Sequence, residues 1–198
     1  MGLDLHYEVG QTPLDENESD GLLLKTITTQ GELNEAEQLN IEEAVEWTLR
    51  RKFGMNDILS EGFCNELHRK MYSGVWRWAG TFRKTNKNIG VDKFQIPVDL
   101  RALVDDCRFW IDHNIYPADE IAVRFKHRIV SIHCYANGNG RHSRLMADVI
   151  VSHIFGRPVF TWGAANLVRA GEARQAYLKA LKLADKGDVG ELVGFARG

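Results

Sequence analysis

The chain has 198 residues, 25 Lys and Arg against 27 Asp and Glu, and a formal net charge of -2. That length suits one well-packed domain, and the near balance of charge gives no global attraction for nucleic acid or an anionic membrane. The acidic first twenty residues lack a signal peptide's basic start, and no stretch nears the roughly 18 consecutive apolar residues of a membrane span, so a cytoplasmic protein is expected.

Residues 1–25 read as an acidic N-terminal extension and 26–198 as the domain proper. Residues 32–52 carry Leu33, Ala36, Ile41, Ala44, Val45 and Leu49 near helical spacing, and Thr29 with Glu32 predicts a capping box at the start. Residues 56–73 place Leu59, Phe63, Leu67 and Met71 at four-residue intervals, a buried stripe. The aromatic segment that follows has no helical period, and Trp76 and Trp78 are expected to pack the core. Residues 88–96, with a turn-prone Asn88–Gly90 and Pro97 just beyond, predict a short β-hairpin or extended flap. Helices are expected again over 99–113 and after Pro117, the latter ending at His133. After the glycine-rich turn the chain reads "RHSRLMADVIVSHIFG", apolar on most sides and so a central helix, before two closing helices over 171–185 and 188–196. Cys64, Cys107 and Cys134 form no metal-like spacing and read as reduced core cysteines. The expected fold class is mainly α, one helical bundle with a small hairpin flap.

The run from His133 to Arg144 concentrates chemistry. Glycines at 138 and 140 let backbone N–H groups converge at a helix N-terminus, where the dipole favours an anion. Arg141 and Arg144 lie three apart on the same helix start, which is unfavourable for the dipole unless something anionic compensates them. Phosphate fits that description, because guanidinium forks and amides match its oxygens. His133 is held close to this turn and is the candidate base. His127 and His142 flank it without any familiar metal-ligand spacing.

This stretch resembles the signature of the Fic family, roughly H-x-F-x-(D/E)-G-N-G-R-x-x-R, through His133, Gly138, Asn139, Gly140, Arg141 and Arg144. "LHRKMYSGVWRWAGTFR", "KNIGVDKFQIP" and "AYLKALKLADKGDVGELVGFA" extend the likeness, whose organisation is similar to the branch called mobile mystery protein B. The resemblance implies transfer of AMP from ATP to a Ser, Thr or Tyr hydroxyl of a target protein, with Mg²⁺ or Mn²⁺. His133 would be the general base. The amides of 138–140 and Asn139 would cradle the α- and β-phosphates, Arg141 would stabilise the developing charge, and Arg144 would bind the γ-phosphate. The flap residues Asn88, Ile89, Gly90, Val91 and Phe94 would dock the target's backbone. Tyr177 would lie near the adenine or pack its helix. An antitoxin or a second copy of the chain are further candidate partners, and a bacterial, toxin-like or regulatory enzyme is the implied setting.

Two positions depart from that pattern. Tyr135 replaces the usual Phe, and Asn137 stands where the family has an acidic metal-binding residue, which weakens a Mg²⁺ site. An inhibitory helix of the family, (S/T)-x-x-x-E-(G/N), finds a partial match in Thr28 and Glu32, although Glu32 is also the capping residue of Thr29. The competing readings are transfer of another phosphate-containing group such as UMP, and an inhibited or non-catalytic nucleotide-binding module. A DNA-binding protein would need a basic stripe that the chain lacks.

Overall fold

Helices α6 (Ala118–Ile132) and α7 (Asn139–Val149) form the centre of the molecule and meet at the His133–Gly138 loop. The computed structural model describes residues 13–163 and 170–198. Phe125 and Ile121 of α6 and Met146, Ala147 and Val149 of α7 are buried, and a π-helical continuation, Ile150–Ile154, extends the same apolar rod. Around it stand α2 (Gln30–Arg50), α4 (Glu61–Tyr72), α5 (Ile96–Asp112), α8 (Ala170–Ala184) and α9 (Gly190–Arg197), with the short α1 (Glu16–Ser19) and α3 (Met55–Ile58) filling in. No helix among the described residues is long and apolar enough to cross a membrane.

The capping box forms as expected: the Thr29 hydroxyl accepts the Glu32 N–H at 3.2 Å, and the Glu32 carboxylate accepts the N–H groups of Thr29 and Thr28. The helix expected over 56–73 is divided, because Ser60 turns extended and its hydroxyl accepts the Phe63 N–H at 3.0 Å, starting α4 anew. The stripe survives the break, with Leu67 and Met71 fully buried, each worth about 2 kcal/mol of transfer free energy. α5 starts at Ile96, three residues earlier than expected, since Pro97 fits a first turn that needs no N–H. The three cysteines are buried and unpaired with one another.

The expected β-hairpin is not there. Among the described residues there is no strand; an isolated antiparallel bridge joins Leu22 to Trp76. Side chains satisfy the backbone of 83–94 in place of a ladder. Asp92 and Asn86 accept the N–H groups of Phe94 and Lys93 at 2.9 and 2.8 Å. The Arg83 guanidinium donates to the carbonyls of Thr85, Val91 and His133. The Val91 N–H reaches the Ile132 carbonyl at the end of α6. The flap is therefore a loop moulded onto α6, not a two-stranded arm.

Of the acidic segment, residues 1–12 lie outside the described residues. The remainder packs against the domain: Leu22 joins the core, and the Glu18 and Asp15 carboxylates hold Lys87 at the stem of the flap.

Candidate active site

His133 closes α6 in the left-handed conformation (φ 58°, ψ 62°), which is uncommon outside glycine and costs backbone energy. The turn aims the ring into a cavity of about 880 Å³ while its carbonyl is gripped by Arg83 Nε at 2.7 Å. Gly90 of the flap lies so close that a Cβ there would come within 2.6 Å of the His133 Cβ. Burial, reinforced by the positive charges of Arg83 and Lys87, lowers the His133 pKa to about 4, so the imidazole is neutral at physiological pH. A neutral imidazole can accept a proton.

The loop beyond is pinned from several sides. Asn139 turns its side chain back on Tyr135, accepting that residue's N–H at 3.0 Å and donating to its carbonyl at 2.8 Å. The side chain expected to cradle phosphate thus fixes the loop's shape. The Tyr135 ring stacks on His68 at 3.7 Å, and its hydroxyl reaches Asn65 at 3.0 Å, which accommodates the departure from Phe. His68 accepts the Gly80 N–H at Nδ1, so its Nε2 carries the proton and donates to the Asn137 carbonyl at 3.0 Å. Gly138 adopts φ +77°, and a Cβ there would lie 2.5 Å from the Tyr72 ring. At Gly140 a Cβ would meet no protein atom within 4 Å, so that face of the first turn is left for something else. The first-turn N–H groups at Gly140 and Arg141 are not used inside α7, which makes this helix start a suitable anion site.

The two arginines differ. Arg141 donates to the Glu37 carboxylate at 2.5 Å and lies over the Tyr72 ring, while the other Glu37 oxygen accepts the Trp76 Nε1–H at 2.6 Å. Arg144 forms no ion pair among the described residues and faces the cavity beside Tyr177. The structure thus brings His133, residues 137–141 and Arg144 into the lining of one cavity together with Asn88, Ile89 and Gly90, of which Gly90 lies against His133. Val91 and Phe94 stand off the lining, Val91 packed against the core and Phe94 exposed outward. Glu32 also lies off the cavity, its carboxylate spent in the cap.

Residues 58–151 match the family described as Fic/DOC. The likeness to that family spans the segment that holds the whole His133–Arg144 run. Among curated relatives, a protein named protein adenylyltransferase Fic from Drosophila grimshawi is 29% identical over 135 residues, covering 66% of this chain and 26% of its own length. The chain therefore spans about a quarter of the length of that relative. The solved Fic-1 fragment from C. elegans superposes with a TM-score of 0.62 at 21% identity, over 82% of this chain and 47% of that one. BepC from Bartonella tribocorum, solved with AMPPNP bound, superposes with a TM-score of 0.68 at 15% identity, over 92% and 97% of the two chains. At these identities the superpositions establish the shared helical Fic fold.

A resident metal ion is poorly served by this site. Asn137 offers a neutral amide whose oxygen already accepts the Gly138 N–H at 2.6 Å, and no cluster of His, Cys, Asp or Glu that could hold an ion exists among the described residues. The Glu37 oxygens are taken by Trp76 and Arg141. The donor set does not make a protein-held Mg²⁺ site.

Three site-building residues escaped the sequence reading. Glu37 falls on the buried stripe of α2 with Leu33, Ala44 and Thr48, and a carboxylate on an apolar stripe is a visible signal. His68 directly follows Leu67 of the α4 stripe. Arg83 ends a motif whose aromatic residues drew attention away from it.

Proposed function

We propose that the chain is a protein adenylyltransferase that moves AMP from ATP to a Ser, Thr or Tyr hydroxyl of another protein. The observation that carries this reading is a neutral histidine in a left-handed turn that shares one cavity with a glycine-rich helix N-terminus and with Arg144, which forms no ion pair among the described residues. In the reaction, the hydroxyl oxygen bonds to the α-phosphorus and its proton passes to the His133 imidazole. The bond between the α-phosphorus and the bridging oxygen to the β-phosphate breaks, and pyrophosphate leaves. The Gly140 and Arg141 amides and the Arg141 guanidinium face the phosphates, Arg144 takes the terminal one, and Asn88, Ile89 and Gly90 press the target segment toward His133. The role suits a regulatory or toxin-like enzyme whose partner is its target protein. A divalent ion, if used, would be held by the nucleotide's phosphates with little help from the chain.

The test is incubation with ATP labelled at the α-phosphate and cell lysate, alongside His133→Ala. Label on protein, lost in the variant, supports the reading. A second reading, a nucleotide-binding module without turnover, is favoured by the neutral Asn137 and by the Arg141–Glu37 pair. It predicts AMPPNP binding by calorimetry with no label transferred from ATP or UTP.

A further inference from the structure

α6 carries a charged side chain that the proposed reaction leaves unused. Lys126, about two turns before His133, has no exposed surface at all. A lysine is almost never fully buried without an acidic partner. Its hydrogen-bond partner here is the Tyr177 hydroxyl, and its Nζ lies 4.6 Å from the centre of that ring. The Arg144 guanidinium lies 6.0 Å from the centre of the same ring. Arg144 and Tyr177 both line the cavity, while Lys126 stands behind them.

Two cations therefore bear on one aromatic ring, and among the described residues neither forms an ion pair. Among the described side chains, Arg144 of α7 opposes the charge on Lys126, and Asp185, just past α8, favours it. Asp185 is mostly exposed and already bonded to His127 at 2.8 Å, so its help is weak. Burial, with Arg144 adding to it, lowers the Lys126 pKa to about 7. Among the described side chains, the Asp148 carboxylate feels the charge of Arg144 and the mostly exposed Asp185 lines the cavity, so counter-charge on the cavity side of Arg144 is weak and a ligand phosphate would add to it.

We propose that Lys126 is a positioning residue of the phosphate site, holding Tyr177 beside Arg144 and becoming fully charged only when a phosphate-bearing ligand lies on Arg144. This rests on the reading of the cavity as a nucleotide site. The incoming phosphate cancels the field of Arg144 at Lys126, the amine takes a proton from the buffer, and its ammonium then anchors Tyr177 more firmly. Nucleotide affinity is thereby tied to pH through a residue that never touches the nucleotide.

The experiment is calorimetric titration of the full chain with AMPPNP, and separately with adenosine, in buffers of contrasting ionisation enthalpy at pH 8. Wild type is expected to take up more protons per AMPPNP than the Lys126→Met variant does, and none through this site with adenosine. Lys126→Met, which keeps the stem's volume, is expected to bind AMPPNP without that excess. Its affinity should stay flat from pH 7 to 9, where the wild-type affinity falls several-fold. Equal proton uptake in the two proteins overturns the proposal while leaving the nucleotide site standing. Absence of AMPPNP binding in wild type overturns the nucleotide reading, and this one with it. If Lys126→Met does not fold, Lys126→Gln takes its place, and proton uptake equal to that of wild type again rejects the proposal.

Discussion

The carboxylate of Glu37, midway along the inner face of α2, meets the guanidinium of Arg141 at 2.5 Å on the first turn of α7. Glu37 is buried and the Arg141 side chain is about one-third exposed, so the pair is partly screened but matters to the unliganded protein. It compensates the arginine that the helix dipole disfavours.

Removing that carboxylate leaves Arg141 waiting for another anion. Glu37→Ala is expected to lower stability without nucleotide by about 1–2 kcal/mol, less than a fully buried pair would lose because of solvent screening. AMPPNP should then raise Tm more in the variant than in wild type. Thermal unfolding with and without AMPPNP checks both effects, and an equal Tm rise in the two proteins would show that the ligand does not lie on Arg141.

The two glycines of the turn should fail in opposite ways. Gly138→Ala forces a Cβ into the Tyr72 ring at a positive φ and is expected to cost about 2 kcal/mol of stability or more. Gly140→Ala has open space around it and should stay within about 1 kcal/mol of the parent. Its methyl group would occupy the face left for phosphate, and nucleotide affinity should fall at least tenfold. Denaturant melts paired with calorimetry separate the two outcomes.

The pH–rate profile reports on His133. With a pKa of about 4 in the free protein, the base stays deprotonated well below the ordinary histidine range. The acid limb of kcat/KM is therefore expected below pH 5, while the limb of kcat lies higher, because bound triphosphate favours the imidazolium. A kcat/KM limb centred near 6.5 would mean that His133 is solvated in the free enzyme.

Stability should share this acid sensitivity. His133 and the fully buried His142 both have folded-state pKa values of about 4, lowered mainly by burial, against 6.5 in the unfolded chain. Between those values the unfolded chain binds more protons, so stability rises with pH and is lost as pH falls from 6.5 through 4. Each group contributes a slope of up to about 1.4 kcal/mol per pH unit. Denaturant midpoints measured from pH 7 to 4 give the slope directly, and a flat series would remove both histidines from the buried set.

The parts of the site that the sequence made legible are contiguous. His133, the glycine turn and the two arginines sit within twelve residues, so their proximity follows from chain length alone. Glu37 reaches Arg141 across 104 positions, and Arg83 reaches His133 across 50, so no local pattern encodes either pairing. The helices were readable from periodicity, while their ends moved wherever a side chain such as Ser60 offered a cap. The flap was misread for a related reason: turn residues and aromatics suggest a hairpin, but a single guanidinium took the carbonyls that a second strand would have bonded.

That guanidinium makes the flap and the His133 turn one mechanical part. Arg83 binds the carbonyls of Thr85, Val91 and His133 at once, so the flap cannot be displaced without pulling on the left-handed turn that aims the imidazole. Transplanting a flap from a protein of similar fold would therefore re-aim the histidine as well, unless the graft preserved the spacing of those carbonyls. Recognition and proton transfer in this chain would have to be redesigned together.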